Sequence, residues 1–152
     1  MAKYHPISDI EGIGPAYAEK LRAAGVKSVA ALLKKGCTRK GRQELAEATG
    51  LDASLILKWV NAADLYRVRG IGSEYAELLE RSGVDTVKEL RNRNAENLHA
   101  KMAEVNESGG RRLVRQLPSL SMVQTWVENA KTLEPMVTHL FSAGHDFGAG
   151  NY

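Results

Sequence analysis

Val68-Arg69-Gly70-Ile71-Gly72-Ser73-Glu74-Tyr75-Ala76-Glu77-Leu78-Leu79, followed by Gly83-Val84, Val87 and Leu90, restates a stretch that occurs earlier in the chain. The earlier copy is Ile10-Glu11-Gly12-Ile13-Gly14-Pro15-Ala16-Tyr17-Ala18-Glu19-Lys20-Leu21, then Gly25-Val26, Val29 and Leu32. Across Ile10 to Leu32, 11 of 23 positions are identical to those 58 residues further on. Apart from Glu19, which matches Glu77, the identities are glycines and apolar or aromatic residues at helical spacing, as expected of a duplicated structural unit. Two glycines around one aliphatic residue suit a tight turn, because Gly reaches positive φ cheaply and lets backbone approach closely. The Ile between them suits a plug in the groove of the flanking helices. Tyr17, Ala18 and Leu21, like Tyr75, Ala76 and Leu79, share one face of a following helix. Pro15 fits a first helical turn, and Gly25 and Gly83 fit residues just past a helix end. Ser28 and Asp85 are the expected N-caps of the next helix in each copy.

Periodicity extends the plan through the chain. A helix is predicted from Ser28 to about Lys35, another from Thr38 through Ala48 stopped at Gly50, and one from Asp52 to Tyr66. The second copy predicts Asp85 to Arg93, Ala95 to about Val105 capped by Asn94, and about Ser121 to Lys131. Trp126-Val127 answers Trp59-Val60 at an offset of 67, so the second copy has gained nine residues, placed around Asn106 to Gly110. Tyr17, Tyr75, Trp59 and Trp126 are read as core anchors. No segment alternates like a strand. The fold class is therefore all-α, with a first repeat over 7–66, a second over 67–133 and a Gly-rich, aperiodic tail over 134–152 expected to be flexible.

Helix, Gly-aliphatic-Gly, then helix with Ala four residues after the second Gly resembles the helix-hairpin-helix motif. Taken together with the Trp59-Val60-Asn61 and Pro118 to Lys131 segments, residues 7–133 resemble an uncharacterised bacterial family, a domain of unknown function built on paired units of that motif. The resemblance implies two fused repeats in one compact helical domain. It also implies that hairpin amides at the start of the second helix hold a nucleic-acid phosphate without reading sequence, two such hairpins gripping both strands across the minor groove. A helix start is an anion site on physical grounds, through its free N–H groups and its dipole. The chain departs from the motif where Lys or Arg commonly follows the second Gly: Pro15-Ala16 and Ser73-Glu74 stand there, and Glu11 and Glu74 would repel phosphate.

Charge bears on the partner. The net charge is +3, but residues 1–131 carry +5, and 27–42 hold Lys27, Lys34, Lys35, Arg39, Lys40 and Arg42 with no acid. Arg111, Arg112 and Arg115 form a second cluster. Clusters after each hairpin favour a polyanion. The expected contacts are Gly12, Ile13, Gly14, Arg69, Gly70, Ile71, Gly72 and Ser73 at the hairpins. Lys34, Lys35, Arg39, Lys40 and Arg42 are expected to supply longer-range attraction. DNA, or another nucleic acid, is the leading partner; the alternative is a helical protein-interaction or scaffold module with a protein partner.

Residues 42–60 also fit a helix-turn-helix, with Ala46, Gly50 and Ile56 at its spacing. Its second helix offers only Ser54 and Lys58 to a groove, with no Arg, Asn or Gln for bidentate reading, which argues against sequence specificity. His5, His99, His139 and His145 lack metal-ligand spacing, and Tyr17 stands where a dinucleotide fingerprint needs a third Gly. Neither a catalytic role, a metal, a cofactor nor a small-molecule substrate is expected. Cys37 is the single cysteine and the start lacks an apolar leader, so a cytoplasmic setting is expected; no apolar run approaches membrane-spanning length.

Overall fold

The computed structural model describes residues 4–108 and 113–138. Among them are eight α-helices, a 3-10 turn over Ile7–Asp9 and no strand beyond an isolated bridge between Pro6 and Ser28. The helices are α1 Pro15–Ala23, α2 Val29–Gly36, α3 Arg39–Thr49, α4 Ala53–Leu65, α5 Ser73–Arg81, α6 Val87–Leu90, α7 Ala95–Ser108 and α8 Leu120–Ala130. None is long and apolar enough to cross a membrane.

The described residues form two compact units, one running to Ala63 and taking in the segment from Met136, the other Asp64–Pro135. In the first, α2 packs on α3, and α1 touches α3 and the 3-10 turn. Two glycines permit close packing on α2, Gly41 the approach of α3 and Gly36 that of α4. A Cβ on Gly41 would collide with the Lys35 carbonyl oxygen, and one on Gly36 would fall 2.6 Å from the Val60 side chain. In the second, α7 packs on α8 and α5, with α6 against α8, around a core that includes Leu78, Leu79, Leu90, Leu98, Met102 and Val123.

The helix ends follow local chemistry closely. At α1, Gly25 has φ +89, its N–H bonds the Arg22 carbonyl (2.9 Å) and the Val26 N–H bonds the Leu21 carbonyl (2.9 Å). Gly83, Val84, Glu80 and Leu79 reproduce that arrangement at α5, with φ +97 and bonds of 3.0 and 2.8 Å. This pair of 5→2 and 6→1 bonds is the glycine-terminated helix end that the sequence predicts at both places.

Several expectations need correction. Asp85 does not cap α6; Thr86 does, its hydroxyl accepting the Glu89 N–H at 3.3 Å. Thr86 lies 58 residues after Ser28, which caps α2 through Ala31 N–H, so the repeat offset designates Thr86. α6 ends at Leu90 rather than Arg93 because the Asn92 and Arg93 amides turn back to the Glu89 and Leu90 carbonyls, three residues behind. α7 runs three residues past the expected Val105, carrying the buried Asn106, whose Oδ1 accepts the Leu113 and Val114 amides at 2.8 and 3.1 Å. The expected flexible tail begins as bonded chain: Arg67 donates to the Glu134 carbonyl (2.6 Å) and the Thr138 N–H to the Cys37 carbonyl (2.8 Å). The remainder of that tail, and Arg111 and Arg112, lie outside the described residues.

Candidate functional site

The two Gly-Ile-Gly turns have the same backbone. Gly12 and Gly70 sit at φ +94 and +95, so both need a residue without Cβ. Ile13 and Ile71 are buried, each donating its N–H to the carbonyl three residues back, Ile10 at 3.0 Å and Val68 at 3.1 Å. Gly14 and Gly72 then serve as N-caps of α1 and α5 in extended backbone, at φ −81 and −112. A Cβ built on either meets nothing within 4 Å. The fold therefore demands glycine at the first position and leaves the second position open.

The helices that begin after the second glycine differ from the rest at their first turn. The other six begin on a side-chain cap: Ser28, Thr38, Thr86 and Ser119 accept from α2, α3, α6 and α8, Asp52 from Ser54 N–H of α4, and Asn94 from Asn97 N–H of α7. Neither α1 nor α5 has a side-chain cap bond. The amides of Gly14, Ala16 and Tyr17, and those of Gly72, Ser73, Glu74 and Tyr75, have no acceptor among the described residues. Each turn thus ends in a cluster of unsatisfied donors at the positive end of a nine-residue helix. Arg69 is exposed beside the second cluster, its own N–H held by Asn129 Oδ1 at 3.3 Å, and Ser73 opens α5 half-buried.

The basic residues divide. Lys34, Lys35 and Lys40 line one open groove of about 600 Å³, with Thr38 and Glu44, and the Lys35 ammonium lies 3.8 Å from the Glu44 carboxylate. Ala24, Gly25 and Val26 form another wall, which places the groove at the C-terminal end of α1, about 14 Å along the axis from the Gly-Ile-Gly turn. That exceeds the screening length of about 8 Å at physiological salt, so the charge of these lysines is largely screened from the turn. Arg39 is half-buried and has partners of its own. Arg42 leaves the candidate surface altogether. It is 4% exposed and donates to the Gly36 carbonyl at 2.9 Å and the Thr138 carbonyl at 2.6 Å. Burial, and secondarily Arg39, lower its pKa from the ordinary value. Arg67, which precedes the second turn, is likewise committed, to Asp64 at 2.8 Å and Glu134. On the helix-turn-helix segment, the Ser54 hydroxyl is spent on Asp52, leaving Lys58 exposed.

Sequence reading missed how the aromatics meet the turns. Trp59 and Trp126 are buried as expected, but Tyr17 is 37% exposed. The Tyr17 and Trp59 rings lie 5.1 Å apart, tilted by 58°, and Tyr75 and Trp126 lie 5.1 Å apart at 53°. Each indole Nε1 is the nearest neighbour to the place a Cβ would take on the turn's first glycine. The available signal was that Trp recurs once per copy, as do Tyr and the turn.

These features define an all-α protein in which a duplicated glycine turn opens two uncapped helices. The chain belongs to the DUF4332 family, a domain of unknown function, whose family model matches residues 11–133. No curated protein and no solved structure matches it.

Proposed function

We propose that the two turns are helix-hairpin-helix units and that the protein binds nucleic acid, DNA first, without reading sequence. The observation that carries this reading is the pair of uncapped helix starts: six helices satisfy their first amides with a side chain, and the two after Gly-Ile-Gly do not. Unsatisfied amides at an exposed helix start attract a phosphate oxygen in the same way in both copies. Lys34, Lys35 and Lys40 in their groove, and Arg69 beside Gly70, supply the sequence-independent attraction. The reading involves no catalytic step, cofactor or metal.

A helical protein-interaction module is the competing reading. It is favoured by Pro15-Ala16 and Ser73-Glu74 where a basic residue would help, and by the internal commitment of Arg42 and Arg67. Titrating a labelled random-sequence duplex at about 50 and about 200 mM salt separates the two. Neutralising two phosphates makes a fourfold rise in salt cost about twelvefold in affinity, from a log–log slope near −0.9 per phosphate. Micromolar binding with that dependence supports the nucleic-acid reading. No binding at the lower salt sinks it and selects the protein partner.

A further inference from the structure

The two copies differ in how the face beside the turn is closed. In the second copy Tyr66, just past the end of α4, is half-buried against the core that includes Ile71 and Ala76. The residue 58 positions earlier is Ser8, exposed in the 3-10 turn, whose side chain is far shorter. An open groove of about 630 Å³ stands there, lined by Ser8, Ile13, Pro15, Ala18, Glu19 and Arg22. Ile13 and Ala18, the counterparts of Ile71 and Ala76, give it with Pro15 an apolar wall. Arg22 is exposed, and its guanidinium has no partner among the described residues, although Glu19 lies on the same lining. Its counterpart is Glu80, so the cation belongs to the first copy alone. An aromatic ring is what the fold uses at this place in the second copy, and a guanidinium at the rim attracts a carboxylate carried beside such a ring.

We infer that the groove seats the chain's own segment 139–152, with Phe147 packing on Ile13 and Ala18 as Tyr66 packs in the second copy, and the Asp146 carboxylate pairing with Arg22. Charge and sequence select this occupant: Asp146 is the one acid in 139–152, no Lys or Arg accompanies it, and Phe147 follows directly. The tether selects it too. Thr138 is bonded to the first unit, its N–H to the Cys37 carbonyl (2.8 Å) and its carbonyl accepting from Arg42 (2.6 Å). The eight residues from there to Asp146 span up to about 28 Å when extended, well over the radius of gyration of about 11 Å expected of a unit of roughly 65 residues. Attachment at Thr138 makes the docking intramolecular, so even a weak contact is populated in dilute protein. The inference is independent of the nucleic-acid reading.

The test uses the full chain carrying Cys37→Ser and Ala149→Cys, with a nitroxide on the introduced thiol and ¹³C-methyl labels on isoleucine and alanine. Position 149 is two residues from Phe147, so docking should cause loss of the Ile13 and Ala18 methyl signals, recovered when the nitroxide is reduced. Ser8→Tyr, which fills the groove, and Arg22→Glu, which repels Asp146, should each restore both signals. Asp146→Arg combined with Arg22→Glu should lose them again. Signals that persist in the parent protein, or that are lost equally in the Ser8→Tyr protein, overturn the inference. Mixing methyl-labelled chains without nitroxide and spin-labelled chains without isotope tests for contact between molecules. Loss of the Ile13 and Ala18 signals in that mixture assigns the groove to a second copy and likewise overturns it.

Discussion

Alanine placed at the first and at the second glycine of each turn should have opposite consequences. At Gly14 and Gly72 the backbone is extended with negative φ, and the new methyl meets nothing within 4 Å. Alanine is the poorer N-cap by about 0.5 kcal/mol, but it lowers unfolded-chain entropy by about 0.4–1 kcal/mol, so the two effects nearly cancel. The Gly14→Ala/Gly72→Ala protein should melt within about 2 °C of the parent. At Gly12 and Gly70, φ of +94 and +95 imposes about 1–2 kcal/mol on any L-residue. Gly70→Ala also drives a methyl to 3.1 Å from Trp126 Nε1, against 3.6 Å at Gly12, so it should be the worse of the pair. A loss of about 2 kcal/mol in a chain of this size lowers Tm by roughly 4–8 °C. Binding should sort the other way. The stable Gly14→Ala/Gly72→Ala protein carries its methyls where the free amides open α1 and α5. It should lose about tenfold or more in affinity for a random duplex, the equivalent of about 1.4 kcal/mol. Circular-dichroism melts and fluorescence anisotropy on the same samples test both halves. A double variant that melts far below the parent refutes the open-space geometry. One that keeps both its stability and its affinity removes the amides as the contact.

Further outcomes depend on single side chains. Arg42→Met leaves the Gly36 and Thr138 carbonyls without their donor and should cost about 2–3 kcal/mol in urea unfolding, with duplex affinity at low salt changing less than twofold. Lys34→Gln/Lys40→Gln should instead leave stability alone and make the salt slope shallower by up to about 1.8. Asp64 is 1% exposed and accepts from Val87 N–H and Arg67, each at 2.8 Å. Asp64→Ala should therefore cost about 2–4 kcal/mol, with Asp64→Asn recovering part by keeping an acceptor for Val87. The Ser54 hydroxyl and amide hold the Asp52 carboxyl below its ordinary pKa. A carboxyl whose pKa is lower when folded contributes stability that is present above its unfolded pKa and lost as pH falls below about 4. Asp52→Ala should flatten that part of the acid limb, measured as Tm against pH.

The helix plan was legible because it is written in local rules. Ser28, Thr38, Asp52 and Asn94 each cap the helix that comes next, and Gly25, Gly50 and Gly83 each end one at positive φ. Asp85 misled because Asp and Thr are both good caps; the choice fell to the 58-residue offset from Ser28. Arg42 misled for a different reason. Position in a basic run says nothing of direction, and this guanidinium turns inward to a carbonyl 96 residues away. The Lys34, Lys35 and Lys40 cluster did assemble, but at the far end of α1 from the turn.

By itself, then, the chain determined what neighbours within a few turns can decide: the helices, their caps, the two Gly-Ile-Gly turns and the burial of Ile13 and Ile71. Tertiary structure alone decided which polar groups remain available. Pairing Trp59 with Gly12, Trp126 with Gly70, and Arg42 with Thr138 joins residues 47, 56 and 96 positions apart. Hydrogen-bond propensity is a property of each residue, but whether a donor is spent or free depends on which distant carbonyl the packed chain brings to it.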